Sequence, residues 1–383
     1  MESNPVEQEL APEIEDIVEE RISVASQRQL IWWRFRKHRV AVVATALIVI
    51  FYTIVIFADF LATNVPADSE AFRGLMPPQP VHIFDGWKPS PHVCAVTGAR
   101  NPITFQKDYV TDCTEKIQVR LFGRGYDYKL FGVIPTDRHL IGMSDDTLRP
   151  EDYIYILGTD KQGRDMYSRL LFGTRISLTI GLFGVALSLV LGIVLGAISG
   201  FYGGLIDNLI QRLVEIVRSI PSIPLYMGMA AAFPSDWSIL KIYFAITIII
   251  SLFAWTDLAR VVRGRFLTMR DEDFVTAAML SGASQRRIIF RHMLPSFYSH
   301  IIAAATLALP LMIIAETTLS FLGLGLRPPA ISWGTLLQDA QNVQTIALTP
   351  WLMIPALPVI LVILALNFMG DGLRDAADPE RLI

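Results

Sequence analysis

One acidic residue lies inside an otherwise uncharged apolar stretch of this chain. Glu316 falls within the run 301–326, where an ionised side chain costs at least about 2.5 kcal/mol at the centre of a bilayer. Such a residue must face protein or water rather than lipid. Ser320 follows one helical turn later and lies on the same side of a helix. Together they could offer a polar contact to an ammonium or hydroxyl group.

Two interpretations of Glu316 are open. It comes fifteen residues after Ile301, about 22 Å along a helix, which places it toward the outer half of a bilayer. It either lines a polar path near the outer side of the membrane, or it is a helix-end acid near the interface or bonded to another protein. The following residues favour an early helix end. They are Gly323, Gly325, Pro328 and Pro329.

The sequence motifs of catalytic sites are missing. There is no Gly-x-x-x-x-Gly-Lys-Ser/Thr phosphate loop, no His-Glu-x-x-His and no Gly-x-Ser-x-Gly. The six histidines are scattered without metal-ligand spacing, and a net charge of -3 gives no support to nucleic-acid binding. We therefore predict no enzyme activity, no cofactor and no metal site.

A basic stretch between two apolar runs carries the other candidate functional residues. Acids at 271–273 suit a helix N-terminus. Phe274, Ala277, Ala278 and Ser281 share one mostly small-residue face at helical spacing. Gly282 then permits a tight turn or a close approach by another surface. We expect a helix-turn-helix whose small face fits a groove of another protein, with packing inside this chain as the alternative.

The second helical segment of this stretch has two unlike sides. Ile288, Ile289 and Met293 fall on one side, whereas the opposite side is basic. The basic residues are Arg286, Arg287 and Arg291. These arginines either pair with acids of a partner protein or hold the loop in the cytoplasm through the positive-inside effect.

These candidate residues lie within or between apolar runs that are long enough to cross a bilayer. Hydrophobic residues make up 52% of the 383 residues and charged residues only 18%, and a span needs about 20 apolar residues. We predict an all-α membrane protein with six transmembrane helices. The runs are 40–58, 176–206, 219–235, 242–256, 301–326 and 345–370.

Basic residues set the predicted orientation. A cluster directly before the first span places the N-terminus in the cytoplasm, and six spans then place the C-terminus there too. The cluster is Arg34, Arg36, Lys37 and Arg39. The first run starts too late and is too long for a cleaved signal peptide. The predicted divisions are a cytoplasmic tail 1–39, a first transmembrane helix 40–60, an extracytoplasmic loop domain 61–174 and a helical core 175–383 with a cytoplasmic loop 260–295.

Both cysteines of the chain lie in the external segment 61–174. In an oxidising compartment, a disulfide between Cys94 and Cys113 would stabilise this lightly cored region by about 3 kcal/mol. The alternative is two unpaired small residues.

The loop 271–295 resembles a motif of a known family. Its spacing is similar to the EAA motif of ABC importer permeases, Glu-Ala-Ala-x3-Gly-x9-Ile-x-Leu-Pro. The matching residues are Ala277, Ala278, Gly282, Leu294 and Pro295. Thr276 stands at the glutamate position and His292 at the isoleucine position. Thr276 does not provide the charge for a salt bridge from that position, whereas the small residues and the glycine implied in docking are kept.

Three further stretches resemble the dipeptide/oligopeptide group of this family. They are 157–169 with 173–177, 319–334 and 372–379. On this resemblance the chain is identified as a C-type, second permease subunit of such an importer. The resemblance implies a type I permease core formed by spans two to six, with an extra N-terminal span and an external loop domain.

The resemblance also implies a division of labour. An extracytoplasmic binding protein would deliver the substrate, and a homologous permease would complete a central path through the bilayer. Two ATPase subunits would hydrolyse ATP and dock on the loop. The implied coupling residues are Thr276, Ala277, Ala278, Gly282, Arg286, Arg287, Leu294 and Pro295. The location is the inner, or plasma, membrane of a bacterium or archaeon.

Members of this group import several classes of substrate. Di- and oligopeptides are the implied substrate, and oligosaccharides, opines and metal chelates are alternatives. A free-standing proton-driven carrier is the rival from another class. Inverted repeats and several intramembrane ionisable groups would favour that rival, and the sequence shows neither. The external segment either contacts the docked binding protein or is a structural insertion.

Overall fold

The computed structural model describes residues 26–100, 102, 107–143, 153–234 and 236–377. Its helices are α1 Gln27–Lys37, α2 Arg39–Leu61, α3 Met166–Tyr202, α4 Gly204–Ser219, α5 Ser222–Ala231, α6 Ile239–Met269, α7 Asp273–Leu280, α8 Gln285–Arg287, α9 Leu294–Ser296, α10 Tyr298–Phe321, α11 Trp333–Gln338, α12 Val343–Leu348 and α13 Ala356–Ala377. A π-helical stretch, Ile288–Met293, joins α8 to α9, and short 3-10 turns occupy Ala71–Arg73 and Pro350–Met353. The strands are β1 Val81–Asp85, β2 Lys88–Arg100, β3 Lys107–Leu121, β4 Arg124–Leu130, β5 Ile134–Arg138 and β6 Ile141–Met143.

Among the described residues, five helical segments are long and apolar enough to cross a bilayer. They are α2, α3, α6, most of α10 and the segment Pro350–Ala377 that contains α13. The prediction of a mainly helical membrane protein is therefore confirmed. The third predicted span, 219–235, coincides with α5, which has only ten residues, so a sixth crossing stays a prediction.

The packing of α3 on α6 bears on that sixth crossing. The Ser251 hydroxyl donates to the Gly184 carbonyl at 3.0 Å, and a Cβ at Gly200 would lie 2.5 Å from Phe266 Cβ. Residue numbers thus rise together along both helices, which are parallel over about 24 Å. The chain must return to the starting end between Tyr202 and Ile239, and α4 and α5 are the helices available for that return.

The N-terminal helix α2 packs on α13 and α3 through small residues. Its buried positions include Ala41, Ala44 and Ala58, which let the neighbouring backbones approach closely. A Cβ at Gly372 would collide with the Ala41 side chain. The glycine of the C-terminal stretch 372–379 is therefore required by this contact.

The segment 61–174, which we predict to be external, contains a six-stranded antiparallel sheet within its described residues, in the order β1-β2-β3-β6-β4-β5. The all-α prediction describes the membrane part of the chain and does not include this sheet. A signal was present, because Ile117, Val119 and Leu121 alternate with polar residues at the period of a strand. A disulfide between Cys94 and Cys113 joins β2 to β3, with an S–S distance of 2.09 Å.

The stretch 157–169 attaches this external segment to α3. Asp165 caps α3 by accepting from the Ser168 backbone N–H at 3.0 Å, and the Thr63 hydroxyl donates to the same carboxylate at 3.0 Å. Burial raises the pKa of Asp165, while the bonds from Ser168 and Thr63 oppose that rise. A Cβ at Gly163 would collide with the Glu70 carbonyl oxygen. This stretch therefore connects the start of α3 to the loop that follows α2 through hydrogen bonds and close packing.

Candidate coupling loop and membrane cleft

The loop 271–295 begins with the short helix α7, which ends at a glycine in a left-handed conformation. Gly282 has φ +77°. Its N–H donates to the Met279 carbonyl at 3.0 Å, and the Ala283 N–H donates to the Ala278 carbonyl at 3.1 Å. This pair of bonds is a Schellman motif, which satisfies the last carbonyls of a helix and favours glycine at that position. Gly282 thus ends the helix in a conformation that most residues with a Cβ, Asn and Asp excepted, adopt only with strain.

The inner face of the loop is packed against its own chain. Val275 is fully buried in a cluster with Phe201 at the end of α3 and Phe266 near the end of α6. Ile288 and Met293 join the same cluster from the π-helical stretch. The burial follows the predicted two-sided pattern, so the loop is anchored to the C-terminal ends of two long helices, α3 and α6.

The outer face of the loop is exposed and partly apolar. Leu280, at the end of α7, is 85% exposed, and Phe290 is 52% exposed. Thr276 and Ala277 on α7, and Gly282 in the turn after it, are exposed as well. Among the described residues, nothing lies within 4 Å of a Cβ built on Gly282.

The eight residues predicted to couple to an ATPase divide into two sets. Six belong to the accessible part of the loop: Thr276, Ala277, Gly282, Arg286 and Arg287 are exposed and Ala278 is half-buried. The remaining two, Leu294 and Pro295, lie at the start of the next helical segment, where Leu294 is buried and Pro295 is half-buried. The second set is placed to anchor the loop rather than to touch another protein.

A cleft of about 780 Å³ opens between α3, α4, α5, α6 and α10. Its lining is mainly apolar, with a few polar groups from each side. Residues that carry its chemistry are Ser188, Arg218, Tyr226, Asp257, Met312 and Thr318. Arg218 on α4 forms an ion pair with Asp257 on α6. We did not single out these two residues from the sequence, although Asp257 is the acid that ends the predicted span 242–256.

Glu316 does not line this cleft. Its side chain is 0% exposed and accepts hydrogen bonds from the hydroxyls of Ser177 at 3.0 Å and Ser320 at 2.8 Å. The Ser177 hydroxyl in turn accepts from the Trp333 backbone N–H at 3.1 Å. The two residues offered as path residues are thus bonded to each other and to α3 inside this chain.

Two glycines close the packing around Glu316. A Cβ at Gly334 would lie 2.5 Å from the Thr317 carbonyl oxygen, and one at Gly325 would lie 2.5 Å from the Ser320 hydroxyl. The stretch 319–334 therefore folds back over the end of α10 and covers the carboxylate. This arrangement accounts for the repeated glycines of that stretch as sites of close approach.

Comparison with known protein families assigns most of the chain. The family of binding-protein-dependent transport system inner membrane components matches residues 192–382, and the N-terminal transmembrane domain of oligopeptide transport permease C matches residues 26–78. The oligopeptide transport system permease protein OppC of Haemophilus influenzae is 40% identical over 227 residues, which are 59% of this chain and 70% of that protein. This chain belongs to the permease family of binding-protein-dependent transport systems.

Other similar proteins extend the comparison. A putative peptide permease protein of Brucella suis is 36% identical to this permease over 225 residues, covering 58% of the chain and 72% of that protein. A solved structure of the MetNI methionine ABC transporter in an inward-facing conformation matches 55% of this permease and 97% of the other chain, at 20% identity and a TM-score of 0.42.

Family membership confirms the predicted class of the permease. It is a multi-pass component of an inner membrane and belongs to transport systems that depend on a binding protein. The matched regions include the loop 271–295, the cleft-lining helices α4, α5, α6 and α10, and the helix α2. They exclude the external sheet between residues 78 and 192.

Proposed function

We propose that this permease forms half of the translocation path of an ATP-driven importer of di- and oligopeptides. The names of its relatives, at 40% and 36% identity, support a peptide substrate. A homologous permease completes the path, and an extracytoplasmic binding protein delivers the peptide. Two ATPase subunits carry out ATP hydrolysis, and both termini lie in the cytoplasm of the bacterial or archaeal cell.

The observation that carries this proposal is the open outer face of α7. A short helix with a packed inner face and an apolar end is suited to a groove of a second protein. Leu280 supplies the apolar end, and Gly282 keeps the turn beside it free of a side chain. The ATPase subunit is the second protein in this proposal.

The inner face of α7 offers a route from that contact to the path. Val275 belongs to the same buried cluster as Phe201 of α3 and Phe266 of α6. These two helices also line the cleft, through Ser188 and Asp257. Because close-packed side chains transmit displacement, movement of α7 by an ATPase would shift two walls of the cleft relative to α10.

Variants at Gly282 test the docking role. Gly282→Asn adds a side chain but tolerates the positive φ, whereas Gly282→Val adds bulk and strains the backbone. We expect both variants to insert in the membrane and both to lose binding of the ATPase subunits, measured by co-purification and by ATP hydrolysis of the reconstituted complex. Thr114→Val on the external strand β3 is a control outside the loop.

The outcome at Gly282→Asn decides between docking and internal packing. Loss of ATPase binding with an unchanged unfolding temperature supports the docking role. Normal binding and transport in this variant would contradict it. Loss of binding in Gly282→Val alone would show that only the shape of the turn matters.

The substrate requires a separate measurement. Uptake of radiolabelled di- to pentapeptides into vesicles containing the full importer and its binding protein should compete with unlabelled peptides. Competition by an oligosaccharide, an opine or a metal chelate instead would replace the peptide assignment with that alternative. Uptake that follows a proton gradient without ATP would contradict the importer class itself.

A further inference from the structure

Two turns of the external sheet place a phenylalanine in an unfavourable backbone conformation. Phe122 has φ +58° and Phe131 has φ +54°, and each is followed by a glycine. Positive φ is uncommon for bulky residues, and such turns usually carry Asn, Asp or Gly. Phe131 and Gly132 both have positive φ and connect β4 to β5 in a tight hairpin. A costly residue that recurs in two turns points to a role for its side chain.

Both phenylalanines contact the C-terminal end of α2. The ring of Phe131 lies 5.5 Å from that of Phe57, and the ring of Phe122 lies 6.0 Å from that of Phe60. A backbone bond from the Leu140 N–H to the Phe60 carbonyl, at 2.8 Å, holds the sheet at this level. The two Phe-Gly turns are thus fixed beside the last turns of a membrane-spanning helix.

The side of α2 that they contact is the exposed side. Val42, Val49 and Ile56 are exposed along α2 at helical spacing, and Phe57 and Phe60 continue the same side toward its end. The opposite side of α2 is buried against α3 and α13. An exposed aliphatic side on a helix long enough to cross a bilayer is a surface suited to lipid tails.

The depth of the contact places the turns at the membrane boundary. Phe57 precedes the end of α2 by four residues, which is about 6 Å along a helix. Around Phe131 the hairpin presents Val133, 77% exposed, and Ile134, 55% exposed. Exposed Lys129 and half-buried Tyr128 follow on β4, and such residues are typical of the zone between lipid tails and headgroups.

We propose that the two Phe-Gly turns insert into the interfacial region of the bilayer at the C-terminal end of α2. The side chains of Phe122, Phe131, Val133 and Ile134 enter the boundary between headgroups and acyl chains, and they anchor the sheet to the lipid surface. The continuity of this patch with the exposed side of α2 identifies lipid, rather than the binding protein, as its partner. The sheet is thereby held at a constant height and tilt above the membrane.

Spin labels measure the predicted insertion directly. Val133→Cys carries the label in the full importer, reconstituted in vesicles of phosphatidylethanolamine and phosphatidylglycerol. Ile83→Cys on β1, at the opposite edge of the sheet, is the matched control, and the paired Cys94 and Cys113 do not react with the label. We expect collisions with oxygen to dominate at position 133 and collisions with a water-soluble nickel complex to dominate at position 83.

A second variant separates the anchor from the fold of the hairpin. Phe131→Asn suits the positive φ and removes the aromatic ring, so the hairpin should fold while the label at position 133 shifts toward the nickel complex. Nickel accessibility at position 133 in the unmodified background would overturn the proposal. Shielding from both reagents would also overturn it, since it indicates a protein contact. An unchanged label in Phe131→Asn would remove Phe131 from the anchor.

Discussion

The tip of the coupling loop and the surroundings of Glu316 are built in opposite ways. At Glu316 the buried carboxylate accepts hydrogen bonds from the hydroxyls of Ser177 and Ser320 of the same chain. At the loop, Val275 completes the inner face, but Leu280 is left 85% exposed. A buried polar group whose hydrogen bonds are made within its own chain stabilises the fold, whereas an exposed apolar face is typical of a surface that binds a partner.

Removal of the Glu316 side chain tests the first half of this comparison and should have the largest effect. Glu316→Ala leaves the hydroxyls of Ser177 and Ser320 without their acceptor and creates a cavity at a fully buried position. We expect a loss of about 3 kcal/mol in the free energy of unfolding. Thermal unfolding of the detergent-solubilised protein, followed by light scattering, measures this loss.

Glu316→Gln is the matched control for that measurement. The amide keeps the shape and can bond to both hydroxyls, so the unfolding temperature should change little and transport should continue. A stable Gln variant that no longer transports would contradict the structural role and return the carboxylate to the path.

The second prediction concerns the open face of the loop. Leu280→Asp places a charge where we expect an apolar contact, and it removes nothing from the packing of this chain. ATPase binding should weaken by about 2 kcal/mol, or about 30-fold, which is typical of a central interface residue. A titration of labelled ATPase subunit onto the permease in nanodiscs measures the dissociation constant.

The contrast between the loop and the surroundings of Glu316 fails if Leu280→Asp binds the ATPase subunit as tightly as the wild type. Leu280→Met keeps the apolar surface and should bind normally. Equal affinities of the Asp and Met variants would show that the exposed end of α7 has no partner there.

The third prediction separates the two faces of α7. Val275→Ala removes two buried methyl groups from the cluster with Phe201 and Phe266, and it should lower the free energy of unfolding by about 1.5 kcal/mol. Thr276→Ala, one residue later and exposed, should stay within about 0.5 kcal/mol. Guanidinium titration of both variants measures the difference. Similar losses at the two positions would refute the division into a packed face and an open face.

The sequence predicted the helical membrane part because its apolar runs are long and almost free of charge. It also predicted the loop, since its glycine, small residues and arginines keep a recognisable spacing. It did not predict the sheet, because strands such as β4 and β5 are short and because unusual turns occur at Phe122, before β4, and at Phe131, between β4 and β5. The environment of Glu316 depends on Ser177, which is 139 residues away, and no local pattern reports such a contact.

The smallest effect is expected at the arginines beside the loop. Arg286 is exposed, and an exposed charge contributes at most about 1 kcal/mol to an interaction, mainly through the association rate. Arg286→Glu should slow ATPase binding a few-fold in low salt, and the difference from the wild type should shrink as screening increases.

Arg327→Glu, which changes an exposed arginine outside the loop, is the control. Stopped-flow fluorescence at two salt concentrations measures the rates, and accessibility of an engineered cysteine at Ser281 reports topology. A slower rate with unchanged topology assigns Arg286 to the ATPase contact. An unchanged rate in both salts would leave the positive-inside effect as the role of Arg286. The contact with the ATPase would then depend on the apolar residues of the open face and not on this charge.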